Sequence, residues 1–160
     1  MKFKNVFYLI AAIAVAELAG GIGSVFTVSS LPTWYAGLVK PALNPPSWVF
    51  GPVWTTLYAL MGISLFLIWK SDPLVAPKER RRGIMLFFLQ LVLNTLWSIL
   101  FFGLHSPGWA LVEMMLLWVT ILATIISFVR ISKPVAWLLV PYILWVSFAG
   151  YLNYSLWILN

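Results

Sequence analysis

Five long apolar runs, separated by short polar or proline-bearing breaks, constrain this chain more than any other feature. They lie at about 5–27, 51–69, 83–103, 108–129 and 134–158. A helix rises 1.5 Å per residue, so about 20 residues cross the ~30 Å hydrocarbon core of a bilayer, and each run is about that long. The runs are twice the length of a membrane strand and lack sustained alternation, which argues against a β-barrel. The breaks carry stop signals: Pro32 through Pro46, then Ser71-Asp72-Pro73 with Lys78-Glu79-Arg80-Arg81-Arg82, His105-Ser106-Pro107-Gly108, and Arg130-Ile131-Ser132-Lys133-Pro134. The expected fold class is an all-α integral membrane protein, a five-transmembrane-helix bundle. It forms one domain over residues 1–160, with a long first loop at about 28–50.

Composition agrees. Hydrophobic residues make up 62% of the chain and charged residues 9%, against about 25% charged in an ordinary soluble domain. Cysteine is absent and His105 is the single histidine. Disulfides, thiolate chemistry and a histidine metal centre are therefore excluded, and no metal or required cofactor is expected. The net charge of +6 does not mark a nucleic-acid partner, because the cations lie between apolar runs. Lys2, Lys4, Lys70, Lys78, Arg80, Arg81, Arg82, Arg130 and Lys133 all fall on one side of a five-span topology, and Lys40 alone falls on the other. The positive-inside rule then predicts a multi-pass protein of the cell (inner) membrane, N-terminus cytoplasmic and C-terminus outside, with lipid as its surroundings. Lys2 and Lys4 also resemble the start of a secretory leader. The run behind them is longer than a leader's apolar core and carries Glu17 at its middle, so a retained span is expected.

Ionisable and amide groups at membrane depth need partners in the protein or in a ligand. Glu113 shares a helical face with Thr120, Thr124 and Ser127, whereas Glu17 adjoins small residues at steps of four: Ala12, Ala16, Gly20 and Ser24. Packing is the favoured role for both acids. The third run carries Gln90, Asn94 and Ser98 at steps of four, with Trp97 and Phe101 alongside. Structural glue and pocket lining stand equal for Asn94.

Ten tryptophans are the clearest anomaly. Trp34, Trp48, Trp69, Trp109 and Trp157 lie near span ends and fit interfacial anchors. Trp54 pairs at i, i+4 with Tyr58, and Trp145 shares a face with Tyr142, Ala149 and Asn153. Each joins an aromatic plane to a polar handle, as a flat ligand with few polar groups requires, and helix packing accounts for them equally well. Pro141, inside the fifth run, frees the Trp137 carbonyl and predicts a kink.

The segment Trp34-Tyr35, Lys40-Pro41, Pro45-Pro46, Phe50-Gly51-Pro52-Val53-Trp54, Leu57-Tyr58 resembles the signature of the TspO/MBR family. These are the tryptophan-rich sensory proteins related to the mitochondrial translocator protein, or peripheral benzodiazepine receptor. Further matches are Leu93-Asn94-Thr95-Leu96-Trp97, Phe101-Phe102-Gly103, Gly108-Trp109-Ala110-Leu111 with Glu113, and Pro141-Tyr142, Trp145, Phe148-Ala149, Leu152-Asn153-Tyr154. The resemblance implies a five-helix bundle, commonly a homodimer, with a pocket between the helices under the first loop. It implies binding of porphyrins such as protoporphyrin IX, haem and other hydrophobic small molecules, with Tyr35, Trp54, Asn94, Trp145 and Ala149 as pocket residues. Tyr58, Trp97 and Tyr142 join them from the residue patterns above. Two departures stand out. Ala42-Leu43-Asn44 replaces the aromatic that often follows Lys-Pro, and no basic residue follows Tyr154, so sterol recognition is not expected.

Three functions follow in order. The first is a porphyrin-binding receptor or sensor, in which Asn94 and the first loop meet the macrocycle's polar rim. Lys40 is either a partner for a propionate or a solvated loop lysine. The second is an enzyme that degrades protoporphyrin in light and oxygen, with Trp54 and Trp145 as its catalytic residues. The third, a porphyrin or sterol transporter, has no internal repeat to support it.

Overall fold

A computed structural model describes residues 3–160, and Lys2 lies outside them. Five helical spans are long and apolar enough to cross a membrane, as expected. They comprise α1 (Phe3–Ser30), α2 (Phe50–Lys70), α3 (Pro77–Ser98), α4 (Pro107–Val129), and a divided fifth span of α5 (Lys133–Trp137) and α6 (Val140–Leu159). α1 packs on α2 and α3, α3 on α4, and α4 on α5 and α6.

Three boundaries differ from the sequence expectation, each for a physical reason. The first span does not stop at residue 27. It runs on through a π-turn at Leu31–Tyr35, so that only residues about 38–46 remain as irregular loop. Pro32 lacks an N–H, and the wider i→i+5 turn accommodates that loss without ending the helix. The resulting 33-residue span is about 50 Å long and overhangs the hydrocarbon core. α3 begins at Pro77, six residues before its apolar stretch, so the basic run Lys78–Arg82 is helix and not loop. Proline is well suited to a first helical turn, and Glu79 there faces the positive end of the helix dipole. The fifth span breaks at Leu138 and Leu139, immediately before Pro141, as the missing N–H predicts.

Lys4, Lys70, Arg81, Arg130 and Lys133 mark one end of the bundle. The loops there are tied together by the 2.9 Å Arg130–Glu79 ion pair and by Arg80, whose Nη2 donates to the Trp69 carbonyl at 2.6 Å. At the other end Ser30 Oγ gives its single proton to the Phe102 carbonyl at 2.6 Å. His105 Nε2, 3.3 Å away, is then the donor to that oxygen, while its ring stacks on Trp34 at 4.5 Å. Trp48, Trp69, Trp109 and Trp157 project outward as expected of interfacial indoles. Trp34 does not, being held in that stack.

α1 and α2 cross most closely near their midpoints. A Cβ on Gly62 would collide with the backbone of Ile13, and Ala16 and Met61 beside the crossing are fully buried. The clash is with main chain, which cannot swing aside as a side chain can. Gly62→Ala is expected to lower stability by about 1–3 kcal/mol, read as a fall in midpoint temperature in detergent against Gly21→Ala, whose Cβ meets nothing within 4 Å.

Candidate functional site

A cavity of about 460 Å³ lies between α1, α2, α3 and α6, in the half of the bundle away from the basic end. That size falls within the ~300–1,000 Å³ of small-molecule pockets. Its floor is set by Tyr58 and Asn94, its walls by Trp54, Trp97 and Trp145, and its rim by Leu31 of the overhanging first span and Trp48 before α2. Glycines make the room. Gly20 faces Tyr58 so closely that any Cβ would strike the phenol ring, and Gly21 also lines the hollow.

Six of the eight expected pocket residues surround this cavity: Trp54, Tyr58, Asn94, Trp97, Trp145 and Ala149. Tyr35 and Tyr142 do not line it. Tyr142 lies behind Asn94, fully buried, and accepts from Asn94 Nδ2 at 3.1 Å. Tyr35 is turned toward Phe102 and donates to Asn44 Oδ1 at 2.8 Å, which fastens the first loop. Asn44 therefore has a structural task at the place where the sequence departs from the family's aromatic. The loop is also held from the far end of the chain, since Asn160 Oδ1 accepts from Val39 N–H at 2.9 Å and Asn160 Nδ2 donates to Val39 O at 3.1 Å. Lys40 is occupied as well. Its Nζ donates to the Ala36 and Leu38 carbonyls at 3.2 and 3.1 Å and stands 5.0 Å from the Tyr35 ring centroid.

The polar groups of the cavity are already partly satisfied. Tyr58 donates its hydroxyl to Asn94 Oδ1, which with the bond to Tyr142 makes a three-residue chain across α2, α3 and α6. An amide offers two donors and two oxygen lone pairs, so Asn94 retains capacity beyond those two bonds. Trp97 Nε1 donates to Asn153 Oδ1 at 3.0 Å, and Asn153 Nδ2 to the Pro107 carbonyl at 2.8 Å, so Trp97 is fixed as wall. Trp145 Nε1 differs. It is buried without a hydrogen-bond partner among the described residues, and it belongs to a residue of the cavity wall. An unpaired buried donor costs about 1–3 kcal/mol, and this one is closed off from the cavity by its surroundings.

Of the two membrane acids, Glu17 lines the cavity and Glu113 does not. Thr120, Thr124 and Ser127, the other members of the Glu113 stripe, bond back to carbonyls of their own helix at 2.7, 2.8 and 3.0 Å. The stripe is buried and makes an interhelical seam. Residue patterns also missed the rim: Val28 and Leu31 were assigned to a loop, and Ser47, Trp48 and Phe50 were not singled out for the cavity. Only recognising that Pro32 leaves the helix unbroken would have found the first two.

No cluster of three His, Cys, Asp or Glu side chains with metal-binding geometry occurs among the described residues. The fold and the cavity define a multi-pass helical membrane protein with an aromatic hollow set between its helices. More particularly, the chain belongs to the TspO/MBR family, whose model matches residues 12–158. It is 44% identical over 161 residues to the tryptophan-rich protein TspO of Chlorobaculum tepidum, covering 98% of each chain. It is 42% identical over 156 residues to the protein of the same name from Archaeoglobus fulgidus, covering 98% of this chain and 99% of that one. It is also 41% identical over 146 residues to the translocator protein of Bos taurus, covering 88% of this chain and 83% of that one. Membership carries a membrane role of the sensor or transporter type.

Proposed function

We propose that this protein is a receptor for porphyrins, protoporphyrin IX above all, and for related flat hydrophobic molecules, and that its basic end faces the cytoplasm. The observation that carries the ligand assignment is a cavity of about 460 Å³ walled by the three indoles of Trp54, Trp97 and Trp145, with the Asn94 amide at its floor. A macrocycle is a broad apolar plate with acceptor groups confined to a few positions. Indole faces cover the plate, and spare Asn94 capacity meets an acceptor. Cation placement supports the orientation by the positive-inside bias.

Quenching of tryptophan fluorescence by protoporphyrin IX in detergent tests the binding. Saturable quenching is expected from the wild type. Gly21→Phe, which adds a ring to a cavity residue where a Cβ meets no neighbour, is expected to weaken it at least tenfold without loss of helical content. Equal affinity in the two proteins would remove the cavity as the binding site.

A second function, oxidative breakdown of the bound pigment in light and oxygen, draws on one further observation. Trp54 stacks on Tyr58 at 5.5 Å between centroids, and Tyr58 is hydrogen-bonded onward to Asn94. An oxidised indole beside the pigment would thus adjoin a second oxidisable ring. Under illumination in air, pigment loss in the protein is expected to slow severalfold in Trp54→Phe at equal occupancy. An unchanged rate would assign the loss to free-solution bleaching and sink this function.

A further inference from the structure

Three of the four helices that wall the aromatic cavity, α1, α2 and α3, also frame a second hollow at the opposite, basic end. It has a volume of about 330 Å³ and is lined by Tyr8 and Val15 of α1, Leu65, Phe66 and Trp69 of α2, and Ile84 and Phe88 of α3, with two alanines of α1 between. Tyr8 and Trp69 meet edge to face at 4.6 Å and form its basic-end lip. Val15 and Phe88 are 39% and 45% exposed, so the hollow opens sideways, toward the surroundings of the bundle. Tyr8 to Val15 spans seven residues, about 10 Å along α1, or roughly two-thirds of one ~15 Å leaflet of the hydrocarbon core.

Each of the three helices ends this groove with a cation on the same face. On α1, Lys4 stands one turn before Tyr8; on α3, Arg81 stands three residues before Ile84 and seven before Phe88. On α2, Lys70 folds back so that its Nζ lies 5.8 Å from the Phe66 ring, which also lines the groove. Arg80, by contrast, is committed to the Ile68 and Trp69 carbonyls, and Arg130 to Glu79. Lys4, Lys70 and Arg81 have no ion-pair partner among the described residues and are exposed.

We propose that this groove is a binding site for one anionic phospholipid of the leaflet on the basic side. An acyl chain lies between Val15, Leu65 and Phe88, and the phosphate group meets Lys4, Lys70 and Arg81. The arrangement matches such a molecule in order and polarity: an apolar channel open to lipid along its length, then an amphipathic Tyr–Trp lip at headgroup depth, then three cations. A second copy of this chain is a poor occupant. A two-fold dimer across the groove would bring the same three cations toward their own images.

Native mass spectrometry of the purified protein with palmitoyl-oleoyl phosphatidylglycerol or phosphatidylcholine added in equal amounts tests the assignment. Phosphatidylglycerol is expected to be retained at least tenfold better. Changing Lys4, Lys70 and Arg81 together to Gln is expected to abolish that preference, since each cation near a headgroup contributes a factor of about five. Val15→Trp, which fills the channel, is expected to remove both lipid adducts while protoporphyrin binding at the other end persists. Equal retention of the two lipids by the wild type, or an undiminished preference in the glutamine variant, would overturn the proposal, as would a dimer cross-linked through residue 15. The glutamine changes fall on exposed side chains and read out even if Val15→Trp does not fold.

Discussion

Trp145→Ala is expected to weaken protoporphyrin IX binding about thirtyfold. Truncating a buried aromatic anchor at the centre of a pocket costs about 2 kcal/mol or more, and 1.4 kcal/mol is a factor of ten. Trp145 also carries a buried N–H with no hydrogen-bond partner among the described residues. Trp145→Phe separates the two contributions, because it keeps an aromatic face and deletes the N–H. Its loss should be the smaller of the two, because the aromatic face stays in the cavity wall. Fluorescence titration measures both, with Trp109→Phe as the control, because Trp109 is 70% exposed and remote from the cavity lining. Identical affinity in Trp145→Ala and Trp109→Phe would show that Trp145 is packing and nothing more.

Asn94→Ala is expected to have the larger effect on stability, together with a clear loss of affinity. Asn94 joins Tyr58 and Tyr142, and both phenols are buried, at 5% and 0% exposure. Removing the amide leaves two hydroxyls without their shared partner at a depth where water is scarce. Each orphaned group costs about 1–3 kcal/mol, so a combined loss of ~2–6 kcal/mol is expected in detergent unfolding. The triple variant Asn94→Ala, Tyr58→Phe, Tyr142→Phe removes both hydroxyls with the amide and should recover most of that stability without recovering affinity. Failure of the triple variant to recover stability would mean that the chain of three is not what holds α2, α3 and α6 in register.

The architecture was legible in the sequence because lipid imposes only a few solutions on a backbone. Apolar length located all five spans, and the cations located one end of the bundle. The errors came from treating charge and proline as chain-breaking signals. The run Lys78–Arg82 ends the apolar stretch without ending α3, and Pro32 alters the hydrogen-bond register of the first span without stopping it. Of the site, the side chains on helix faces were readable from i, i+4 spacing, and Trp54, Tyr58, Trp145 and Ala149 meet as that spacing implies. Tyr35 and Tyr142 were not separable from them. Whether an aromatic faces a hollow or stands one layer behind it depends on helix rotation of a few tens of degrees, and a single sequence with aromatics on several faces does not encode that rotation. The engagement of Asn44 with Tyr35 and of Asn160 with Val39 joins residues whose partners lie in irregular backbone, where no periodicity applies.

The contact of Gly62 with the main chain of Ile13 stands between the two hollows along α1 and α2, so the hollows do not merge along that seam. Truncating a side chain in either hollow would leave them separate there, because main chain and not a side chain closes the gap.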